Sequence, residues 1–399
     1  MKRIFLTLLT AQLIFASCSQ SQCKSDDVLD IAQAQTEQMI GAMDGQILIP
    51  RTVISEGVKY TNLEDWTSGF FAGSLWYLYH LTENEQWKQR AEEFTQILEP
   101  LRNFSGHHDV GFMVFCSYGN GLRFAAKSEY KPIITDAAYA LATRFIPDAG
   151  IIQSWDTTEK RIQQGMKCPV IIDNMMNLEL LFEAAQMTGD TTLYNISVSH
   201  ADKTLENHFR DDYSTFHLVD YDLQNGGYWR RRTHQGYADD SSWARGQAWA
   251  IYGFTMSYRY TRDERYLDRA QKIAAYIMGH PSIPEDRIPY WDYHVPRTPD
   301  EQPRDASAAA ITSSALFELA QASGDESYAT YASEILSSLR SPEYFAAVGS
   351  NGNFLLMHST GHKPAGSEID VPLNYADYYF LEAMAREKMY NSNISIPIR

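Results

Sequence analysis

Two aspartates in this chain stand where a carboxylate could move a proton. Asp109 follows His107 and His108 in "GHHDVGF", between Gly106 and Gly111. Asp173 follows the apolar run Pro169, Val170, Ile171, Ile172 and opens "DNMMNLELLFEAAQ". Brought to one cleft, two carboxylates can divide acid and base work, because apolar surroundings or a neighbouring charge hold one of them protonated near neutral pH. Arg245 in "SSWARGQAWAIYGF" offers a planar fork for a carboxylate. Trp66, Trp155 and Trp249 offer flat faces for sugar C–H surfaces. Each residue also has a plain structural use: Asp173 as a helix N-cap, Asp109 in a turn, Arg245 in an intrahelical ion pair, the tryptophans as core. A zinc reading of "GHHD" is weak, since no HxH or HExxH spacing occurs and a further ligand must come from elsewhere. No metal is expected.

The elements that must position these residues are helical. "LTENEQWKQRAEEFTQIL", "MTGDTTLYNISVSHADKTL", "YTRDERYLDRAQKIAAYI" and "ASGDESYATYASEILSSL" repeat one unit. Each is a helix end, a short turn, an Asn or Asp at the cap position, an aromatic and a second helix. "AKSEYKPIITDAAYALATRF" is a degraded fifth copy. About six such hairpins in one chain predict a closed α/α toroid, with an open solenoid as the alternative. The segments between hairpins are rich in Trp, His, Gly and Arg, where a rigid scaffold usually carries its chemistry.

Composition narrows the function classes. The chain has 399 residues, 44% hydrophobic, with a formal charge of −16. It opens with "MKRIFLTLLTAQLIFASCSQSQC", which resembles a bacterial lipoprotein signal with Cys18 as the lipidated residue. Residues 1–17 read as the signal, 18–30 as a tether and 31–399 as a single catalytic domain. Removing the signal takes two of the 34 basic residues and no acidic ones, leaving 32 against 50. That excess argues against nucleic acid as a partner. Membrane contact is expected only through the anchor at Cys18, in the periplasm or at the outer membrane. Beyond the leader and tether only Cys116 and Cys168 remain, read as buried thiols.

Taken together, "WTSGFFAGSLW", "HHDVGF", "IIDNMMNLELLF", "SSWARGQAWAIYGF", "IPYWDYHVP" and "NYADYYFLEAMAR" resemble the unsaturated glucuronyl hydrolases, glycoside hydrolase family 88. The resemblance implies an all-α (α/α)6 barrel and no cofactor. It implies a glycosidase acting on an anionic oligosaccharide left by a polysaccharide lyase, from which the terminal 4,5-unsaturated uronic acid is released. It assigns the acid/base to Asp173 and the second carboxylate to Asp109. Sugar contacts fall on His217, Gln235, Arg245 and Trp249, with Trp66 and Trp155 as nearby aromatics. Ser359 and Lys363, in "HSTGHKPAGSE", resemble a Ser/Lys loop that contacts sulfate in glycosaminoglycan-active members. Two alternatives stay open at this point: an unsaturated rhamnogalacturonyl hydrolase acting on pectin fragments, and a non-catalytic protein that binds unsaturated oligosaccharides.

Overall fold

Four of the repeat turns are side-chain caps. Asn84, Asp190, Asp263 and Asp325 each precede a helix and accept the backbone N–H two residues on. Each thereby satisfies a donor that a helix start leaves unpaired. The degraded copy lacks this device: its helix starts at Lys131 behind Tyr130, with no side-chain cap and a proline in its first turn.

In the computed structural model the described residues are 25–396, apart from 164, 224–226 and 297–301. The signal, Cys18 and Cys23 lie outside them. The described helices are α1 (Ser25–Gly41), α2 (Ser68–Thr82), α3 (Glu85–Gln96), α4 (Asn120–Ala125), α5 (Lys131–Ala142), α6 (Glu159–Gln163), α7 (Leu178–Thr188), α8 (Thr191–Asn207), α9 (Ala244–Thr261), α10 (Glu264–Gly279), α11 (Ala306–Ser323), α12 (Glu326–Leu339) and α13 (Asn374–Asn391). Helix α1 begins inside the stretch read as tether, and its Val28 is wholly buried, so the fold starts earlier than residue 31. Cys168 is buried and Cys116 only partly so, and both are free thiols.

An inner ring runs α2, a π-helical segment Gly111–Gly119 continuing into α4, then α7, α9, α11 and α13, which returns to α2. This is the (α/α)6 barrel. Burial patterns explain the sorting. From Ala306 to Ala320 every residue of α11 is buried, and such a helix must sit inside. Outer helix α10 buries only Tyr266, Leu267, Ala270, Ile273, Ala274 and Ile277, one stripe at helical spacing.

Deeper in the barrel, buried charges tie the inner ring together. Glu179 of α7 bridges Arg123 of α4 (3.0 Å) and Arg259 of α9 (2.6 Å). Arg259 reaches Glu318 of α11 at 2.9 Å, and Glu318 reaches Arg386 of α13 at 3.0 Å. Tyr77 of α2 donates to Glu382 of α13 at 2.7 Å. Alternation of sign leaves each of these charges paired, which is what burial demands.

Small sheets cap the barrel. Strand β1 (Ile49–Ile54) pairs with β2 (Gly57–Thr61), and β3 (Phe145–Ile146) with β4 (Ile151–Ile152). Strands β5 (Pro169–Ile171), β6 (Leu218–Tyr221) and β7 (Tyr228–Arg232) form one antiparallel sheet, while β8 (Ser359–His362) pairs with β9 (Ser367–Val371). The apolar run before Asp173 is therefore strand β5. Asp173 itself lies in a separate 3-10 turn, Ile172–Asn177, and no side chain caps either that turn or α7. The capping use of Asp173 is overturned.

Candidate active site

Six inner elements start at one place. Trp66 precedes α2, Asp109 the π-helical segment, Asp173 α7, Asp305 α11, while Arg245 and Tyr375 lie in the first turns of α9 and α13. Helix N-termini carry free N–H groups and the positive end of the backbone dipole, so the convergence favours an anionic group there.

Asn177 brings the two aspartates together. Its side-chain oxygen accepts from Phe112 N at 3.1 Å. A Cβ on Gly111 would lie 2.7 Å from Asn177 Cα, so only glycine lets the π-helical segment approach the 3-10 turn so closely. Residues 107–109 are pinned from the other side. His107 bridges Trp155, His108 N donates to Ser154 O at 3.1 Å, and His107 Nε2 lies 2.9 Å from Glu64 O.

The environments of the two carboxylates push their pKa values apart. Asp173 is buried, and its Oδ2 has no hydrogen-bond partner. Burial, helped by the negative charge of Asp109, raises its pKa from 3.8 to about 7, while Arg245 and the indole N–H of Trp249 pull the other way. Burial acts upward on Asp109 too, but His108 and His107 outweigh it and hold its carboxyl below the usual range. His107 Nδ1 lies 3.2 Å from Asp109 Oδ2, and His108 Nε2 lies 3.3 Å from Oδ1, off the line of a hydrogen bond. Near neutral pH, Asp109 is ionised while about half of Asp173 keeps its proton.

His217 completes the pair. The backbone N–H groups of His234 and Gln235 both donate to its Nδ1, at 3.1 and 3.0 Å. Burial and neighbouring positive groups hold it neutral, so its one proton sits on Nε2. That Nε2 stands 3.7 Å from Asp173 Oδ2. A neutral donor thus faces the oxygen that has no partner.

Other expected residues hold different posts. Arg245 is 1% exposed, and its fork is already taken. It pairs with Asp305 at 2.7 Å and donates to the carbonyls of Thr360 and Gly361, each at 2.6 Å. A buried guanidinium requires such a counter-ion, so Arg245 acts here as an anchor of β8 and a nearby positive charge, and its fork is not open to a ligand carboxylate. Gln235 shares the task, donating to Gly361 O at 3.0 Å. Trp249 is wholly buried against Phe112 and Tyr379, so it forms floor, and its face is not open to a sugar. Trp66 and Trp155 are half-buried, as a sugar platform needs to be. Ser359 is also wholly buried, which removes it as a contact for a ligand arriving from solvent.

Asp305 and Tyr375 went unnoticed in the sequence. Asp305 caps α11 through Ser307 N and Ala308 N while pairing with Arg245. Its only local signal is that of an ordinary cap. Tyr375 packs 4.8 Å from Trp66 and lies under the Arg245 guanidinium. Among the described residues no group of three or more His, Cys, Asp or Glu is arranged to hold a metal ion.

Comparison with known proteins bears on this geometry. A family model described as Glycosyl Hydrolase Family 88 matches residues 39–394. An unsaturated glucuronyl hydrolase of Formosa agariphila is 47% identical over 326 residues, covering 82% of this chain and 80% of the relative. The solved structure of an unsaturated glucuronyl hydrolase specific for heparin superposes with a TM-score of 0.87 at 41% identity, covering 94% of this chain and 100% of that one. Another solved structure, a variant with dGlcA-Glc-Rha-Glc, superposes with a TM-score of 0.84 at 31% identity over 91% of this chain and 96% of that one.

Proposed function

The chain belongs to glycosyl hydrolase family 88, and from that premise we propose that it releases 4,5-unsaturated uronic acid from the non-reducing end of glycosaminoglycan oligosaccharides left by a lyase. One observation carries the reading: a buried carboxyl with a free oxygen, its pKa raised to about 7, stands near an ionised second carboxylate.

The substrate end is a vinyl ether, with C4=C5 beside the ring oxygen. Asp173 gives its proton to C4, and the π electrons form the new C–H bond. Positive charge then develops at C5 and is shared with the ring oxygen. The Asp173 carboxylate next accepts a proton from water as the water oxygen bonds to C5, which restores the acid. The resulting hemiketal opens, and the hemiacetal left at C1 expels the remaining sugar chain. Burial, helped by the charge of Asp109, keeps a proton on Asp173 at the start of the cycle, and Asp109 stabilises the developing cation. His217 Nε2–H stabilises the Asp173 carboxylate in the interval. The converging helix N-termini attract the uronate carboxylate, which a chain of net charge −16 cannot do at long range. A panel of lyase-generated unsaturated disaccharides tests the reading through loss of the near-ultraviolet absorbance of the double bond. Stable absorbance across the whole panel overturns it.

Sulfate is read by the β8 turn in this proposal. Lys363 holds its ammonium 5.9 Å from the Trp291 ring, with no carboxylate paired to it among the described residues. Lys363→Ala is expected to raise KM for a sulfated disaccharide about tenfold, the loss of one exposed charge-assisted contact. KM for the unsulfated analogue stays level. Equal effects on the two substrates would exclude sulfate reading by this loop.

We also propose that Cys18 is lipidated and tethers the enzyme in the periplasm or at the outer membrane. The leader sequence supports this. Cys18→Ser should abolish incorporation of labelled palmitate and shift the protein to the soluble fraction; unchanged labelling sinks the assignment.

A further inference from the structure

The sheet β5–β6–β7 carries positive charge that the reaction above does not use. Directly opposed residues of antiparallel strands share a face. Arg232 lies opposite Leu218 and Arg230 opposite Asp220. Leu218 lies opposite Ile171, and both pack with Met166 and Trp155. The two arginines therefore stand on the Trp155 face, on the outer strand of the sheet. From α6, Arg161 brings its guanidinium to 5.3 Å from the Trp155 ring centroid. That ring is 5.4 Å from His234, which is 6.1 Å from His217. Arg161 is thus connected to Asp173 through three successive rings, Trp155, His234 and His217.

The acidic neighbour of Arg230 compensates its charge only in part. Arg230 meets Asp239 at 3.8 Å with side chains 44% and 56% exposed, a contact worth little. The carboxylate of Asp220 is turned to the backbone N–H groups of Lys167 and Cys168, from which it accepts three hydrogen bonds. Burial, and then the charge of Arg230, depress the pKa of Arg232. Arginine forks match the planar or trigonal oxygens of carboxylate and sulfate.

We propose that this face is a distal anion subsite, where Arg161, Arg230 and Arg232 receive an acidic group carried by a sugar beyond the first two. The inference rests on the function proposed above. Glycosaminoglycan fragments repeat their acidic sugar at every second position, so an unsaturated tetrasaccharide has a second carboxylate and a disaccharide has none to offer.

Steady-state kinetics on an unsulfated unsaturated disaccharide, the matching tetrasaccharide and a sulfated tetrasaccharide test it. Arg230→Glu on the exposed strand should raise KM for the tetrasaccharides about tenfold and leave the disaccharide within about twofold. In the parent enzyme, added salt should weaken tetrasaccharide binding more than disaccharide binding. A loss on both tetrasaccharides assigns the face to carboxylate, and a loss on the sulfated one alone assigns it to sulfate. Disaccharide and tetrasaccharide moving together, or neither moving, overturns the subsite while leaving the hydrolase reading intact. No turnover of any of the three by the parent enzyme overturns that reading, and the subsite with it.

Discussion

Asp173→Asn is expected to lower kcat by about 10⁴-fold, the upper end of what general acid–base catalysis contributes, because one group serves two proton transfers. KM should change little, since the amide is nearly isosteric with the protonated acid that substrate meets. Folding is expected to improve. The residue caps no helix and its Oδ2 has no partner, so no hydrogen bond to that oxygen is lost. The sign of the linkage points the same way. The folded-state pKa is raised to about 7 from 3.8, so the folded chain binds this proton more tightly than the unfolded chain. Stability therefore falls as pH rises from about 4 to about 7, and the penalty is complete above that. At about 1.4 kcal/mol per pH unit, its ceiling is roughly 4 kcal/mol. The asparagine variant lacks this penalty, so its urea midpoint should exceed that of the parent at pH 8 and approach it at pH 4. A variant retaining a tenth of kcat would end the acid/base assignment. A midpoint that drops at pH 8 would mean Asp173 is held by contacts not accounted for.

The hairpins were legible because their information is local. An Asn or Asp before each outer helix satisfies free N–H groups whatever lies elsewhere, and Asn84, Asp190, Asp263 and Asp325 all do so. Asp109 and Asp173 were legible as carboxylates at element boundaries, although the boundary after Ile171 was misread. A short apolar run fits a strand or a helix start equally well, and only pairing with β6 decides it. The π-helical segment was hidden for a related reason. "GFMVFCSYG" is buried nearly throughout, so no polar stripe marks its period. The Arg245–Asp305 pair joins residues 60 apart in sequence, each with a respectable local use. Burial of Trp249 and Ser359 has the same origin, since a residue type does not state which side of a ring its helix or strand presents.

Replacing Asp109 by asparagine tests whether the two carboxylates act on each other. The proton donor must start protonated, so kcat/KM should fall as pH rises through the pKa of Asp173, about 7. Burial is the larger cause of that value and the charge of Asp109 the next, while Arg245 opposes both. Asp109→Asn removes the second cause alone. The basic limb should therefore move to lower pH yet stay above the ordinary carboxylate value, because burial remains. At neutral pH the variant begins each cycle with less of Asp173 protonated, and it loses a negative charge beside the cation developing at C5. Together these should reduce kcat/KM by about 10²–10³-fold, in the range seen when one preorganised electrostatic group is removed. Part of the loss should be regained by lowering the pH, whereas a purely positional defect would be equal at every pH. His107 gives an internal check. Burial lowers its pKa, but the hydrogen bond and charge of Asp109 outweigh burial and leave it raised. Its titration, followed by NMR, should fall in the variant. A basic limb that stays in place while His107 shifts would show that Asp109 is ionised but too weakly coupled to Asp173 to set its proton. A limb that moves to higher pH would mean that Asp109 favours the ionised form of Asp173, opposite to the coupling argued here.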